Sequence, residues 1–529
     1  MPRPVSTFLA VTLAAAVSNV AAAQAPRPAP ARSASSARAA AAAAAADQPR
    51  GLLAAELAPL FVRTDVGRNA NWGALVVSLT RGDTLFSWRA DRRLIPASNA
   101  KLFTTAAALH YLSPEFRFIT VLYPDGRIRD GELDGDLVFY GTGDPTFAMD
   151  EHSLAAFADS VVQAGIRRVR GDLIADASFL GGELRGPGWV PDNVTSSYAA
   201  RPQALGANGN RIALFVEPGP RRGTPARVRV APANDYYAVV SVVLTGEPGS
   251  RTRVRVRRGQ ARGVVELSGT IAADYGEWST QINVEEPAVF AATLLRTLLT
   301  RRGVTINGVT RTVVDNTHTR VHTMLARSAA RGDAFAGALA VHRSAPLGEL
   351  VAFINHRSHN LSAELTFRAI GRMRGGTGTF ASGAQAVAQF LTDEVRIPRS
   401  AVQVTDGSGL SLLDLASPRS LVQLLAYMRT ATEGGREFVH SLPVMGIGYR
   451  ARLAETAAAG RLRAKTGTLS AVSSLSGYVT AVGGEELAFS LIVNQARSVD
   501  AAREVQDSIG ARLAAFTRPP LDPSRASGN

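Results

Sequence analysis

Cysteine is absent from the 529 residues. That excludes disulfides, a thiolate zinc site and a lipid-modified N-terminal cysteine. Lysine is nearly absent: of the 58 basic residues only Lys101 and Lys465 are lysines, and the other 56 are arginines. Arginine supplies positive charge as well as lysine does, but it does not release its proton near neutral pH and presents a broad fork instead of a compact ammonium. A chain that keeps an amine at only two places points to chemistry arginine cannot perform. Long apolar runs are scarce too, and beyond the N-terminus none approaches the length of a membrane span. The net charge of +14 implies attraction to polyanions. It is dispersed and no binding motif accompanies it, so nucleic acid is not an expected partner. Peripheral electrostatic association with a membrane or an anionic wall polymer is the most that charge alone supports.

The first residues read as a secretory signal over 1–23. Arg3 gives a positive start, Phe8 to Val17 is apolar and small, and Ala21-Ala22-Ala23 offers a cleavage site before Gln24. An uncleaved anchor is the alternative, but the run is short and broken by Ser18 and Asn19. The expected location is therefore periplasmic or extracellular. Residues 24–50 are an Ala/Pro/Ser stretch with little to bury, expected to be a disordered spacer.

Periodicity predicts a helix over Leu52–Val62, a hairpin of Trp72–Leu79 and Thr84–Trp88, and a helix from about Ser98. Short β-like runs follow at Leu137–Tyr140, Arg227–Val230, Tyr237–Leu244, Arg253–Arg257 and Val264–Leu267, then a helix over Glu286–Thr300. Helical patterns dominate later, at Leu347–Ile354, Ser362–Ile370, Ser382–Leu391 and Ser420–Arg429. The chain then returns to strands at Ser473–Val482 and Leu487–Val493 around Gly483-Gly484, and ends in a helix over Val499–Phe516. This order predicts an α+β fold: an antiparallel sheet flanked by helices, built from 51–112 and 326–517 and split by an insertion at 113–325. The insertion is expected to form two lobes, with an inner β-rich lobe at about 205–280. Residues 518–529 are expected to be a loose tail.

Both lysines sit in short motifs. In Ser98-Asn99-Ala100-Lys101 the hydroxyl and amine share a helix face, near a helix start that offers free N–H groups and positive dipole. Hydroxyl, adjacent base and anion stabilisation are the parts of an activated nucleophile. In Ser358-His359-Asn360 a second hydroxyl is placed to pass a proton and an amide to hold a substrate and a lysine. In Lys465-Thr466-Gly467-Thr468 one amine and two hydroxyls can receive a carboxylate, and Gly467 permits close backbone approach. Each motif alone reads more readily as a helix cap, a solvated lysine or a turn than as a site. Their weight comes from their order and from their using both lysines. His356 and His359 have no evident third ligand, so no metal site is assigned. Ser408 has glycine neighbours but no specified base and reads as a turn. A Ser-His-Asp triad is not needed.

The three motifs in this order resemble those of serine DD-peptidases and serine β-lactamases. The first two lie 260 residues apart and the last two 107 apart. The long first interval resembles the penicillin-binding protein 4 type of D-alanyl-D-alanine carboxypeptidase/endopeptidase. Gly141-Thr142-Gly143-Asp144-Pro145, Gly188-Trp189 with Asp192, Tyr198, Ala204-Leu205, Asn208-Gly209-Asn210 and Asp406-Gly407-Ser408-Gly409-Leu410-Ser411 are similar to stretches of that group. Two places depart from it: His359, and Gly448-Tyr449-Arg450 where Gly-Thr-Leu would be expected. The resemblance implies a DD-peptidase-like domain and an acyl-enzyme on Ser98. Lys101 would be the base, helped to its neutral form by burial and by the nearby charge of Lys465. Ser358 would relay the proton and Asn360 orient the substrate amide. Lys465, Thr466 and Thr468 would receive the terminal carboxylate, and the backbone N–H groups of Ser98 and Thr468 would form the oxyanion hole. The implied substrates are peptidoglycan stem peptides, with β-lactams as covalent inhibitors and no cofactor. Two other readings remain open: a serine β-lactamase, and a catalytically silent cell-wall-binding scaffold. Oligomeric state and the protonation order of the two lysines are not legible.

Overall fold

A computed structural model describes residues 51–190, 196–315, 321, 335–448 and 452–519. The expected signal and spacer lie outside these residues, as do Asp192, Tyr449, Arg450 and the tail from 520.

A five-stranded antiparallel sheet organises the ends of the described chain. Its order is Leu462–Leu469, Val472–Thr480, Glu486–Asn494, Asn71–Ser78, Thr84–Trp88. The N-terminal hairpin thus pairs with C-terminal strands, Ala74 lying opposite Leu491. Alternate side chains leave a strand on opposite faces. Ala74, Val76, Phe489 and Leu491 join a core with the helices Leu52–Val62 and Val499–Ala515. Leu75, Ala488 and Ile492 join a second core with the helices Ala100–Leu112 and Pro418–Thr430. Helices cover both faces, which is why the strand Glu486–Asn494 reads as an almost unbroken apolar run.

Between these segments lie other sheets. A seven-stranded sheet is built around the hairpin Ile119–Arg129 and Glu132–Gly141. Two three-stranded sheets occupy the stretch from Arg211 to Asn283. The strand Ile119–Arg129 was not among the expected elements because Pro124 and Gly126 interrupt its apolar pattern. Gly126 pairs with Gly135 across the hairpin, and a Cβ on Gly126 would lie 2.3 Å from the Asp134 carbonyl oxygen. The glycines permit close backbone approach here and do not mark a turn. Helix Glu151–Gln163 was also unanticipated. Most other expected elements agree to within a few residues, and Leu52–Val62 and Thr84–Trp88 agree at both ends. Among the described residues no helix is long and apolar enough to cross a membrane.

Arg518, the first residue of the stretch expected to be loose, holds Asp83 with a two-pronged ion pair at 2.6 and 2.7 Å. It also bonds Glu485, which binds the Ser78 hydroxyl. The Arg518 guanidinium holds the Asp83 carboxyl below its usual range. Burial pushes Glu485 up, but Arg518 and Ser78 outweigh it and its value is also lowered. Arg518→Ala should therefore cost about 1 kcal/mol at neutral pH in urea unfolding, since the network is only partly screened. Both carboxyls have depressed folded values. The contribution is therefore present above the ordinary carboxylate range and disappears as pH falls through the folded values, and the two proteins should converge in stability there.

Candidate active site

Ser98 lies in a 3-10 turn, Ala97–Asn99, not in the α-helix predicted to begin there; the helix proper is Ala100–Leu112. The reason is local. Ala97 has φ +47°, a left-handed conformation that an α-helix cannot run through. The turn is fastened to the sheet. Asn99 Nδ2 donates to the Lys465 carbonyl at 3.1 Å, and Ser474 Oγ donates to the Pro96 carbonyl at 2.6 Å.

Lys101 is fully buried. Its Nζ lies 3.0 Å from Ser98 Oγ, 2.6 Å from Asn360 Oδ1 and 2.7 Å from the Ser408 carbonyl oxygen. Burial pulls its pKa down to about 8, against the opposing pull of Glu364, Asp406 and Asp414. The expected help from Lys465 is not among the causes. Desolvation depresses the amine, and three carboxyls that the sequence reading had not placed there hold it back.

The second motif lies at the junction of two helices. Ser358 ends Leu347–Arg357 in a left-handed conformation, φ +53°, and Asn360 begins Asn360–Met373. The reversal turns Ser358 Oγ toward Lys465 Nζ at 2.9 Å and Asn360 toward Lys101. Asn360 Nδ2 donates to the Tyr198 carbonyl at 2.9 Å, so the amide oxygen is the atom facing the amine. His359 caps the second helix. Its Nε2 lies 3.2 Å from Arg211 Nη2 and its Nδ1 lies 2.7 Å from Ser362 Oγ. A guanidinium only donates, so Nε2 is an acceptor toward Arg211. Burial, then Arg211 and Lys101, pull the His359 pKa down to about 3. The unusual central residue of this motif is therefore neutral.

The third motif is on the strand Leu462–Leu469, the edge of the five-stranded sheet, so it begins that run of strands and does not merely precede it. Lys465 is buried, and besides Ser358 it donates to the Thr466 carbonyl at 2.7 Å. The smallness of Gly467 is used by the protein's own backbone: a Cβ there would lie 2.8 Å from the Pro96 oxygen and 2.9 Å from the Ser98 nitrogen. Thr468 Oγ1 accepts from Arg503 Nη2 at 3.0 Å. All three motifs thus meet. Two hydroxyl–amine pairs are linked through the Asn99 bond to the edge strand and the Asn360 bond to Lys101.

Several residues at the site were missed. Arg503 and Arg211 come from distant elements, the helix Val499–Ala515 and the strand Arg211–Glu217, and no local pattern marks them. The loop Asp406–Ser411 supplies a carbonyl to Lys101, with the Ser408 hydroxyl accepting from Leu410 N at 3.3 Å. Trp189 Nε1 donates to Asp406 Oδ2 at 2.8 Å. Glu364 had a weak signal: it lies one helical turn beyond Asn360, on the same face.

The fold is that of a solved penicillin-binding protein 4. The crystal structure of penicillin-binding protein 4 from Haemophilus influenzae superposes with a TM-score of 0.75 at 22% identity, covering 87% of this chain and 99% of that one. The chain belongs to the D-Ala-D-Ala carboxypeptidase 3 (S13) family, which it matches over residues 54–516. A D-alanyl-D-alanine carboxypeptidase of an Actinomadura species is 34% identical over 459 residues, 84% of this chain and 81% of that protein. The carboxypeptidase DacB of Haemophilus influenzae is 26% identical over 436 residues, 80% of this chain and 85% of that protein. The reaction class that goes with this membership is D-alanyl-D-alanine carboxypeptidase, a hydrolase.

Gly467→Ala should separate fold from reactivity. Its Cβ would meet Ser474 Oγ at 2.3 Å as well as the turn backbone, so the turn and the edge strand must part. Displacements of this size cost about 100-fold in rate. Labelling by a fluorescent penicillin should fall by about that factor, with a thermal midpoint lowered by only a few degrees.

Proposed function

We propose that this protein is a secreted serine D-alanyl-D-alanine carboxypeptidase and endopeptidase that cleaves peptidoglycan stem peptides through an acyl-enzyme on Ser98. The observation that carries the reading is the environment of Lys101. A neutral amine has two N–H donors and one lone pair. The two shorter contacts are to oxygens that only accept, Asn360 Oδ1 and the Ser408 carbonyl. The third and longest, at 3.0 Å, is to the Ser98 hydroxyl. The lone pair therefore faces the proton it is to remove. A pKa of about 8 leaves roughly one molecule in ten with the free amine at pH 7.

In this mechanism Ser98 Oγ attacks the carbonyl before the terminal D-alanine as Lys101 takes its proton. The backbone N–H groups of Ser98 and Thr468 receive the developing oxyanion. Asn360 orients the substrate amide. Ser358, bonded to Lys465, relays a proton to the departing nitrogen. Lys465, Thr466 and Thr468 receive the terminal carboxylate, Arg503 adding positive charge beside Thr468. Gly467 keeps the edge strand against the nucleophile turn. Water then releases the product. β-Lactams would follow the first half of the path and remain on Ser98. The homologous penicillin-binding protein 4 has been crystallised with a β-lactam, which supports this part of the reading. We further assign 51–112 and 326–517 to the catalytic domain and 113–325 to an insertion, with secretion through the N-terminal segment.

Lys101→Arg keeps a charge and removes the base. Intact mass spectrometry after benzylpenicillin should show a single adduct on the wild type and almost none on a folded Lys101→Arg protein; equal acylation refutes the base assignment. Slow decay of the wild-type adduct separates a peptidase from a β-lactamase, and no adduct at all identifies a silent scaffold. Because the free amine is the active form, the acylation rate should rise with pH and level off above about 8. Lys465→Arg should weaken substrates that carry a terminal carboxylate, with a smaller loss than Lys101→Arg causes.

A further inference from the structure

We propose that Glu364 is a positioning residue for the Lys101 amine, holding the loop that holds the amine and placing the opposite charge behind it. This rests on the reading of Lys101 as the base. Glu364 is fully buried on the helix that begins with Asn360. Its Oε2 accepts from Gly407 N at 2.8 Å and its Oε1 from Ser408 N at 2.9 Å. The same two residues turn their carbonyls to the nucleophile helix. Ser408 O accepts from Lys101 Nζ, and Gly407 O accepts from Thr104 Oγ1 at 2.8 Å. One carboxyl thus grips the N–H groups of two consecutive residues whose carbonyls grip the helix carrying the base. The amide of Asn360, a turn earlier on the Glu364 helix, holds the amine from another side.

The charges facing this pair come from several elements. Asp406 lies in the gripped loop and accepts from Gly409 N, Ser411 N and Trp189 Nε1 at 2.7 to 2.8 Å, and from Ser408 N at 3.1 Å. Asp414, beyond the loop, is pushed well above the usual carboxylate range by burial and by Asp406. Arg368, a turn further along the helix, donates to the carbonyls of Gly378, Pro202 and Gly181. His359 is neutral. Burial and Asp406 push Glu364 up to about 8, with Ser408, Gly407 and Lys101 pulling the other way. Lys101 is pulled down to about the same value. A carboxyl and an amine whose ordinary values lie far apart thus titrate together. When Ser98 gives its proton to Lys101, the O–H bond breaks and an N–H bond forms. The reacting proton stays on Nζ, and the Glu364 carboxylate offsets the new ammonium charge.

Glu364→Gln tests this through the pH profile of acylation by benzylpenicillin. Losing the opposite charge should lower the Lys101 pKa, moving the acid limb down by about one pH unit or more, with the plateau rate reduced about ten-fold because the amine is a weaker base. Glu364→Asp keeps the charge and should keep the limb near its wild-type position. A Glu364→Gln enzyme slowed equally at every pH, with its limb unmoved, overturns the proposal and leaves only a structural role. Should Glu364→Gln not fold, wild-type protein carrying 13C-carboxyl glutamate decides the matter: one glutamate carboxyl signal must shift as the acid limb is crossed and again on acylation, and glutamate signals unmoved by both overturn the proposal. Lys101→Arg, run in parallel, reports on the base reading separately. Loss of acylation there with an unmoved Glu364→Gln limb sinks this inference alone.

Discussion

A primary amine buried out of water, with every contact it makes already chosen, is the constraint on which the rest of this structure depends. Lys101 touches three oxygens, and each comes from a different part of the chain. Ser98 arrives on a turn that the helix itself does not include. Asn360 arrives at a helix start more than 250 residues later in the sequence. The Ser408 carbonyl arrives on a loop pinned by two carboxyls. Desolvation would favour the neutral amine outright, and the carboxyls behind it bring the balance back to near-neutral pH. The site is built on this compromise, and it explains why an arginine-rich chain keeps a lysine there.

The intervening sheets are joined to that compromise by specific bonds. Tyr198 fixes which end of the Asn360 amide faces the amine. Trp189 reaches the Asp406 carboxylate, and Ser411 Oγ bonds back to the Pro187 carbonyl at 2.7 Å. Arg211 meets His359. Segments that look remote in sequence therefore set the orientation of two of the three groups around Lys101.

Much of this was legible from residues and their spacing. The scarcity of lysine singled out Lys101 and Lys465, and the structure places each beside a serine of another motif or its own. Apolar periodicity located the helices on both faces of the central sheet, although Ala100–Leu112 is buried almost all round. Some illegible parts depend on contacts between distant segments, and others on local backbone shapes that residue type does not mark. Glu364 reads as an ordinary surface helix residue until Gly407 and Ser408 are set against it. The positive φ of Ala97 has no local mark, since alanine is a good helix former. Gly467 was read as room for a ligand, but a Cβ there would meet Ser474 Oγ on the next strand and then the Pro96 and Ser98 backbone. The strand Ile119–Arg129 was hidden by residues that usually signal a loop.

The meeting of Arg211 with His359 has an evolutionary corollary. An imidazole between Ser358 and Asn360 would ordinarily gain and lose a proton near neutral pH. Here burial, and then a guanidinium carried on a strand 148 residues upstream, suppresses that titration. A lineage that trimmed the strand while keeping the histidine would not simply inherit a smaller protein. It would uncover the imidazole as well as unpair it, and so lay a titratable ring between Ser358 and Asn360.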